Sequence, residues 1–253
     1  MKRKHIFSTL LFVLLAIMGA KAQVGNPVGR VLEENGGPVE EETLISGGET
    51  YTASAPLKVS FEANPAEQEG YTYAYEWVIY PADRPEEALL RRFEPETEYT
   101  FYDSGTFGVQ LKITYSPTDG SAEPMEEEAE PILIVISESS LKVPNAFSPN
   151  GDGVNDVYHI TFQSLVKLEA SIFNRWGQRI CQMNLSNIDQ GWDGTHGGRD
   201  VKDGVYFIVV EAVGSDGIKY NIRRDINILR GQGGLNGGGG GGYLKCRRTH
   251  LKP

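Results

Sequence analysis

Apolar and polar residues alternate with a period of two through the middle of this chain, and that pattern is its strongest constraint on the fold. In "LKVSFEA", Leu57, Val59 and Phe61 share one face of an extended segment. The segments "YTYAYEWVIY" and "TFGVQLKITY" repeat the pattern, with these residues on one face: Tyr73, Tyr75, Trp77 and Ile79 in the first, and Phe107, Val109, Leu111 and Ile113 in the second. Because successive side chains of a strand point to opposite faces, the pattern predicts half-buried strands. Several such strands separated by turn residues predict an all-β sandwich.

Three neighbouring segments depart from this alternation. "PILIVIS" (131–137) is continuously apolar, which predicts a strand buried on both faces. "RPEEALLRRF", around Ala88, is the segment whose spacing allows a turn or two of helix. The acidic, proline-punctuated stretch 116–131 is typical of a solvated hairpin tip, with cation or partner binding as the alternative.

The N-terminus has the three-part layout of a secretory signal peptide. A basic start precedes an apolar run from Ile6 to Met18, and the small-residue site Ala20-Lys21-Ala22 follows. The apolar run is shorter than the ~20 residues of a membrane span. We therefore expect a signal peptide over 1–22, with an uncleaved anchor as the alternative. Residues 23–48, rich in Gly, Glu and Pro, are expected to form a leader or linker.

The chain is acidic, with a net charge of -10. Removing residues 1–22 takes away four cations and leaves 20 Lys and Arg against 34 Asp and Glu, a net charge of -14. Such a protein repels phosphate backbones, so we expect no nucleic-acid partner. The acidity is compatible with divalent cations or with solubility alone.

The two cysteines, Cys181 and Cys246, lie in different surroundings. Cys181 is in a strand-like segment and Cys246 in a glycine-rich tail. In an exported chain they either pair or remain separate, and the sequence leaves both outcomes open.

A second series of strand-like segments runs from Leu141 to Arg230. X-Gly pairs, which supply the positive φ of tight turns, separate its segments: Trp176-Gly177, Asp193-Gly194, Asp203-Gly204 and Asp216-Gly217. This series predicts a second small all-β domain. The remaining residues, 231–253, are expected to be a flexible glycine-rich tail.

The residues needed for catalysis are sparse. Outside the signal segment and the tail the histidines are His159 and His196, which we expect to be ordinary surface or strand residues. No G-x-S-x-G, H-E-x-x-H or phosphate-binding loop motif occurs. We therefore expect no enzymatic activity and no catalytic residues.

One loop, "NGDGVND", has the composition of a calcium site. Asn150, Asp152, the carbonyl of Val154, and Asp156 are oxygen ligands at alternating positions. However, the loop lacks the full EF-hand order and its distant glutamate, and Asx side chains also cap turns without any metal. A tight turn and a calcium loop both remain open, and calcium is the only candidate cofactor.

Four segments carry a family resemblance. "VPNAFSPNGDGVNDVY", "IFNRWGQRI", "GWDGTHGGRDVKDGVYFIVVEA" and a closing "INILR" closely resemble the gliding motility-associated C-terminal domain, the type B sorting domain of type IX secretion. The likeness covers 141–230 and implies export to the cell surface or the medium, with the outer-membrane translocon as partner. The positions that match the motifs are Pro144, Asn145, Phe147, Pro149, Asn150, Gly151, Asp152, Gly153, Asn155, Asp156, Trp176, Gly177, Trp192, Asp193, Gly194, Asp203, Gly204 and Tyr206.

Four aromatic residues of these motifs have an expected role in packing. Phe147, Trp176, Trp192 and Tyr206 are expected to lie in the core or against turns rather than to contact the translocon. The extension beyond Arg230 departs from the family, whose domains usually finish within a few residues of the final strand.

The upstream segment, 49–138, more weakly resembles a PKD or immunoglobulin-like domain. "YAYEWVIY" matches the tryptophan strand of such domains and "YTFYDSGTFGVQLKITY" a later stretch. The "FGDG" turn usual after the tryptophan strand is replaced by "PADRPEEALLRR", which removes any inference about a ligand.

The sequence therefore predicts two tandem β-sandwich domains in a non-catalytic, monomeric protein delivered by type IX secretion. A calcium-assisted adhesin for a glycan or protein is the alternative function. A hydrolase on a sandwich scaffold is a third hypothesis and would require paired carboxylates in a pocket.

Overall fold

The structure of the protein is a computed structural model that describes residues 25–231. These residues form two β-sandwich domains in tandem, as the sequence predicts. The expected signal peptide, the tail from residue 232 onward and Cys246 lie outside the described residues. Within 25–231 no helix is long and apolar enough to cross a bilayer.

The strands are numbered in chain order. They are β1 Val28–Glu34, β2 Gly37–Pro38, β3 Leu44–Ser46, β4 Thr50–Ala53, β5 Leu57–Glu62, β6 Tyr71–Pro81, β7 Leu90–Arg92, β8 Glu96–Phe101, β9 Gly105–Pro117, β10 Met125–Glu128, β11 Ile132–Ile136, β12 Ser140–Lys142, β13 Ala146–Phe147, β14 Thr161–Gln163, β15 Leu165–Phe173, β16 Arg179–Asn184, β17 Thr195–His196, β18 Arg199–Asp200, β19 Gly204–Gly214 and β20 Lys219–Ile228. A single 3₁₀ turn, Ile188–Gln190, is the one helical element of the described chain.

The first domain packs two sheets around an apolar core. One sheet has the order β2-β1-β5-β8, with β3 also paired to β1. The other has the order β4-β11-β9-β6-β7, with β10 also paired to β9. The period-two prediction is confirmed, because Trp77 and Ile79 of β6 are fully buried, as are Val109 and Leu111 of β9. The expected hairpin tip within 116–131 is confirmed for residues 118–124, which connect β9 to β10, whereas residues 125–128 of that stretch form β10 itself.

The expected leader over 23–48 is wrong for most of its length. Strands β1 and β3 lie in this segment, and their residues Val31 and Ile45 are each only 2% exposed in the core. A bulge between Val31 and Glu33 shifts the pairing of β1 with β5. Because a bulge breaks the alternation of faces, β1 shows no period of two in its sequence.

Two smaller expectations also fail. The segment 84–93, expected to allow a turn or two of helix, instead forms hydrogen-bonded turns that lead into β7. The apolar β11 is buried on one face only, since Leu133 and Val135 are half-buried. Strand β11 lies between the parallel β4 and the antiparallel β9, and its second face is partly open to solvent.

The second domain is built on a five-stranded sheet with the order β13-β20-β19-β15-β16. Its second layer is less regular and consists of the β12–β14 pair, the β17–β18 pair and a bridge between Tyr158 and Trp192. Leu165, Ile172, Ile208 and Ile226 are fully or almost fully buried between the layers. The X-Gly turns have positive φ as predicted, at Gly177, Gly194, Gly204 and Gly217.

A polar cluster centred on Ser164 joins the two domains. Ser164 is fully buried with φ at 50°, and its N–H donates to Oδ1 of Asn35 at 3.1 Å. Its Oγ accepts from the N–H of Ala55 at 3.2 Å, and its carbonyl accepts from Ser215 at 2.9 Å. The carbonyl of Ser215 in turn accepts from Ser104 at 3.0 Å. The polar groups of Ser164 that are buried at this junction are thereby satisfied, two of them by residues of the first domain.

The segment between the domains is held along its length. The N–H of Ser137 donates to Ala53, and its carbonyl accepts from the hydroxyl of Ser215 at 3.2 Å. The N–H of Ser139 donates to Asp216 at 3.0 Å, and the Ser139 hydroxyl donates to the same carboxylate at 2.8 Å. Strand β12 follows directly.

Candidate functional site

Three parts of the chain that are distant in sequence meet at one end of the second domain: Pro149, residues 194–203 and Arg230. Its guanidinium donates to the carbonyl of Pro149 at 3.1 Å, of Gly194 at 3.2 Å and of Val201 at 2.7 Å. It also forms an ion pair with Asp203 at 2.7 Å. Each of the four family-like segments either contributes to this cluster or lies next to it. We call this region the motif end.

An aromatic cluster lies beneath Arg230. The ring of Phe147 is 5.6 Å from that of Tyr158 and 5.3 Å from that of Trp192, and Trp192 is 5.5 Å from Tyr206. These separations are those of favourable aromatic pairs. Each polar atom has a partner: the Tyr158 hydroxyl donates to Pro144 at 2.6 Å, the Trp192 indole to Thr195 at 2.8 Å and the Tyr206 hydroxyl to Lys202 at 2.9 Å. Burial raises the pKa of Tyr158 well above its ordinary value.

The "NGDGVND" loop is held by its own carboxylates. Asp156 accepts backbone N–H groups from Asn150 at 2.9 Å, from Gly151 at 2.7 Å and from Gly153 at 2.7 Å. Asp152 accepts the N–H of Val154 at 2.8 Å and the side-chain amide of Asn150 at 2.8 Å. Both glycines have positive φ, which the sharp path of the loop requires.

Backbone hydrogen bonds, first those from Gly151 and Gly153, lower the pKa of the Asp156 carboxyl. Backbone N–H donors favour the charged carboxylate, so these hydrogen bonds stabilise the negative charge of Asp156 without a cation. Within residues 25–231 no group of three or more His, Cys, Asp or Glu is arranged to hold a metal. The calcium loop stays a prediction, and this geometry fits the metal-free turn equally well.

The remaining motif residues also support turns at this end. The carbonyl of Asn145 accepts from the N–H of Asn227 at 2.8 Å, which anchors β13 beside β20. Asn155 has a φ of 54°, and its carbonyl accepts from Ser148 at 2.9 Å. Asp193 accepts the N–H and the hydroxyl of Thr195 at 2.9 and 2.8 Å.

Burial was expected for four motif aromatics and is confirmed for three. Phe147, Trp192 and Tyr206 are 4%, 1% and 8% exposed. Trp176 is 83% exposed, so its expected packing role is wrong. The turn that carries it is closed by Asn174, whose Oδ1 accepts the N–H of Trp176 at 2.9 Å and of Gln178 at 3.0 Å. The indole contributes nothing to that closure.

A shallow groove of about 360 Å³ adjoins Trp176. It is lined on one side by the turn before β16 and on the other by the start of β19, where Val205 and Phe207 are 48% and 47% exposed. The Arg175 guanidinium lies 5.8 Å from the centre of the Trp176 ring. Neither Arg175 nor Phe207 was singled out from the sequence.

The sequence reasoning also missed the roles of Arg230 and Tyr158. The closing "INILR" segment is the one signal that pointed toward Arg230. His159 is exposed, and Nδ1 of His196 is 2.9 Å from the carbonyl oxygen of Ile180. Cys181 is 2% exposed in the core, and Cys246, its partner in the pairing that the sequence left open, lies outside the described residues.

Comparison with protein families identifies the second domain. Residues 141–222 match the model of the CHU_C type IX secretion signal domain. The second domain is a type IX secretion signal domain. The protein that carries this signal domain is exported to the cell surface or the medium by type IX secretion.

Solved structures similar to the chain are modular β proteins. Fibronectin(III)-like modules of Clostridium thermocellum CbhA share 16% identity over 72% of this chain and 89% of theirs, with a TM-score of 0.22. The FN1–FN3 domains of chicken CNTN1 share 15% over 72% and 65%, with a TM-score of 0.26. A tetra-tandem repeat of a large adhesion protein shares 9% over 83% and 68%, with a TM-score of 0.23. Because these scores are below 0.5, the fold rests on the strand pairing described above. No curated protein matches the chain.

Proposed function

We propose that this chain is a non-catalytic exported protein in which the first domain is the passenger and the signal domain delivers it to the type IX secretion machinery. The observation that carries the proposal is the match of residues 141–222 to the secretion signal model. The motif end supports it physically, because Arg230 joins the Pro149 loop and residues 194–203 in one folded surface. Because this surface combines residues that are distant in sequence, the secretion machinery could bind it only after the domain has folded.

The non-catalytic part of the proposal is supported by the surroundings of the histidines. Among residues 25–231, neither His159 nor His196 hydrogen-bonds a carboxylate or a hydroxyl group. A nucleophile and base within hydrogen-bond reach are the signature of covalent catalysis. The grooves at Trp176 and on the first domain contain no histidine.

The test is secretion of the full chain in a host that has type IX secretion, beside an isogenic host that lacks the translocon. A chain ending at residue 140 is the matched control, since it keeps the first domain and loses the signal domain. We expect the full chain at the surface or in the medium of the first host only, and the shortened chain in the periplasm of both. Equal export of the two chains contradicts the proposal.

A second candidate function is calcium-assisted binding of a glycan or protein. It is favoured by a groove of about 490 Å³ on the first domain, lined by Arg30, Phe61, Glu62, Glu96 and Glu98 among others. A ligand that binds only the native state raises the melting temperature by mass action. Melting in millimolar calcium and in chelator therefore tests the calcium component, with Asp156→Asn reporting whether the "NGDGVND" loop is the site. Identical melting temperatures in both buffers would exclude the calcium component of this candidate function.

A further inference from the structure

We propose that the groove beside Trp176 is the surface by which the type IX secretion machinery binds the signal domain, and that its occupant is an apolar surface of that machinery edged by carboxylates. The groove is formed by Trp176, Val205 and Phe207, with Arg175 and Lys202 at its rim. This inference rests on the proposed function and names the contact through which it operates.

Exposed apolar area is concentrated at this place. Phe207 lies on the outer face of β19, paired with Phe173 of the adjacent β15, and the Trp176 turn follows directly. Trp176, Val205 and Phe207 are 83%, 48% and 47% exposed. Burying a large aromatic side chain is favourable because it removes apolar surface from water. In the free chain these side chains remain in water. Binding of a partner would bury them and gain the free energy of removing their apolar surface from water.

The fold has no use for an aromatic side chain at position 176. The turn is closed by Asn174 and by the positive φ of Gly177, at 75°. Any residue that fits the turn would preserve these bonds. Since buried tryptophan and arginine dominate binding energy at protein interfaces, an exposed Trp176 stacked near Arg175 has the character of an interface anchor.

The charges at the groove indicate an acidic partner. Among the described residues, Arg175 and Lys202 form no ion pair with a carboxylate. Asp203 is the one carboxylate in the lining, and Arg230 already holds it at 2.7 Å. The rim is therefore cationic in a domain whose 10 Lys and Arg balance its 10 Asp and Glu. Complementary charge speeds encounter and rejects wrong partners.

The groove is also coupled to the folded state of the motif end. Asp203 lies at its edge and binds Arg230, and Tyr206 lines it while packing on Trp192. The two sides of the groove come from different strands and reach their positions only in the folded domain. A partner that binds here therefore distinguishes folded cargo from unfolded cargo.

The experiment measures secretion of the full chain in hosts with and without the translocon. The groove variants are Trp176→Ala with Phe207→Ser, and Arg175→Glu with Lys202→Glu. Ile218→Ser and Lys219→Glu are matched controls, because they remove an exposed apolar residue and a cation at the opposite end of the β19–β20 hairpin. We expect each groove variant to lower the secreted amount about tenfold or more, the loss typical of a hot-spot contact, and the controls to be secreted like the wild type.

The outcomes separate the two proposals. If wild-type secretion does not depend on the translocon, the proposed function fails and this inference falls with it. If wild-type secretion does depend on the translocon and both groove variants are secreted normally, the inference alone is overturned. Melting temperatures of the purified variants show whether a secretion defect is a folding defect.

Photo-crosslinking keeps the proposal testable even if a variant misfolds. A benzoylphenylalanine at position 207 of the full chain preserves the aromatic character of the groove, and the same group at position 218 is the control. We expect an adduct with an outer-membrane component of the secretion machinery from position 207 only. An adduct with a second copy of this chain, with its acidic first domain as the occupant, would overturn the proposal, as would machinery adducts from position 218 alone.

Discussion

Arg230 and Pro149 are 81 residues apart in sequence, yet Nε of Arg230 donates to the carbonyl oxygen of Pro149 at 3.1 Å. The same guanidinium binds the carbonyls of Gly194 and Val201. A planar guanidinium with five donors is suited to hold several acceptors in fixed directions. Arg230, two residues beyond the end of β20, therefore holds a loop from the start of the domain against loops from its second half.

Replacing Arg230 with Ala should lower the free energy of unfolding by about 2–3 kcal/mol, because partly buried acceptors lose charge-assisted hydrogen bonds. Urea denaturation of the full chain, followed by tryptophan fluorescence, measures the change. Arg199→Ala is the control, since Arg199 is exposed and forms no side-chain hydrogen bond or ion pair in the described chain. A loss no larger than that of the control contradicts the role assigned to Arg230.

Replacing each of the two tryptophans of the signal domain should have very different effects on stability. Trp192 is 1% exposed, so Trp192→Ala should cost about 3–5 kcal/mol, as large-to-small core changes do. Trp176 is 83% exposed, so Trp176→Ala should change stability by about 0.5 kcal/mol or less. Thermal melting of the two variants makes the comparison. A large loss on replacing Trp176 would mean that its indole supports the fold after all.

The Ser164 cluster predicts a dependence on the side chain of Asn35. Asn35→Gly keeps the positive φ of that position, 53°, while removing the acceptor of the buried Ser164 N–H. An unsatisfied buried donor costs about 1–3 kcal/mol, so the two domains should separate more readily. We expect calorimetry to give one transition for the wild type and a broadened or split transition for Asn35→Gly.

Asn35→Asp retains the Oδ1 acceptor and is the matched variant for that experiment. Its melting should stay close to that of the wild type. If the Gly and Asp variants melt alike, the hydrogen bond from Ser164 contributes nothing to joining the domains.

Acid should loosen the "NGDGVND" loop. The folded-state pKa of Asp156 lies below its ordinary value of 3.8 because the carboxylate accepts backbone N–H groups, from Gly151 first. Stabilisation of this kind is complete above the unfolded pKa and is lost as the pH falls through the folded pKa. An NMR titration of the Asp156 carboxyl should therefore give a pKa below 3.8. A value at or above 3.8 would show that the N–H groups do not hold the charge.

Strands that bury one face could be predicted from the sequence. Elements whose form depends on residues distant in the chain could not. β5, β6 and β9 follow a strict alternation, so their inward faces could be predicted. β1 could not, because the bulge after Val31 shifts its register with β5. Among the motif residues, the turn glycines were predictable from local chemistry.

The long-range features of the motif end were not predictable in this way. Arg230 binds three backbone carbonyls, and a backbone acceptor leaves no residue-type signature in a sequence. A tryptophan is equally compatible with a core and with a surface. Trp192 and Trp176 differ only in which strands pack around them, and that is a property of the whole fold.

The hydrogen-bonded segment between the domains restricts where a protease could separate them. A protease binds its substrate as an extended, unpaired strand, and 137–142 offers no such stretch, since Ser137 and Ser139 are engaged on both sides and β12 is paired. Cutting here requires this segment to detach first. The rate of any cleavage here would then depend on how often the segment opens, and that opening requires breaking the hydrogen bonds of Ser137 and Ser139 with Ser215 and Asp216.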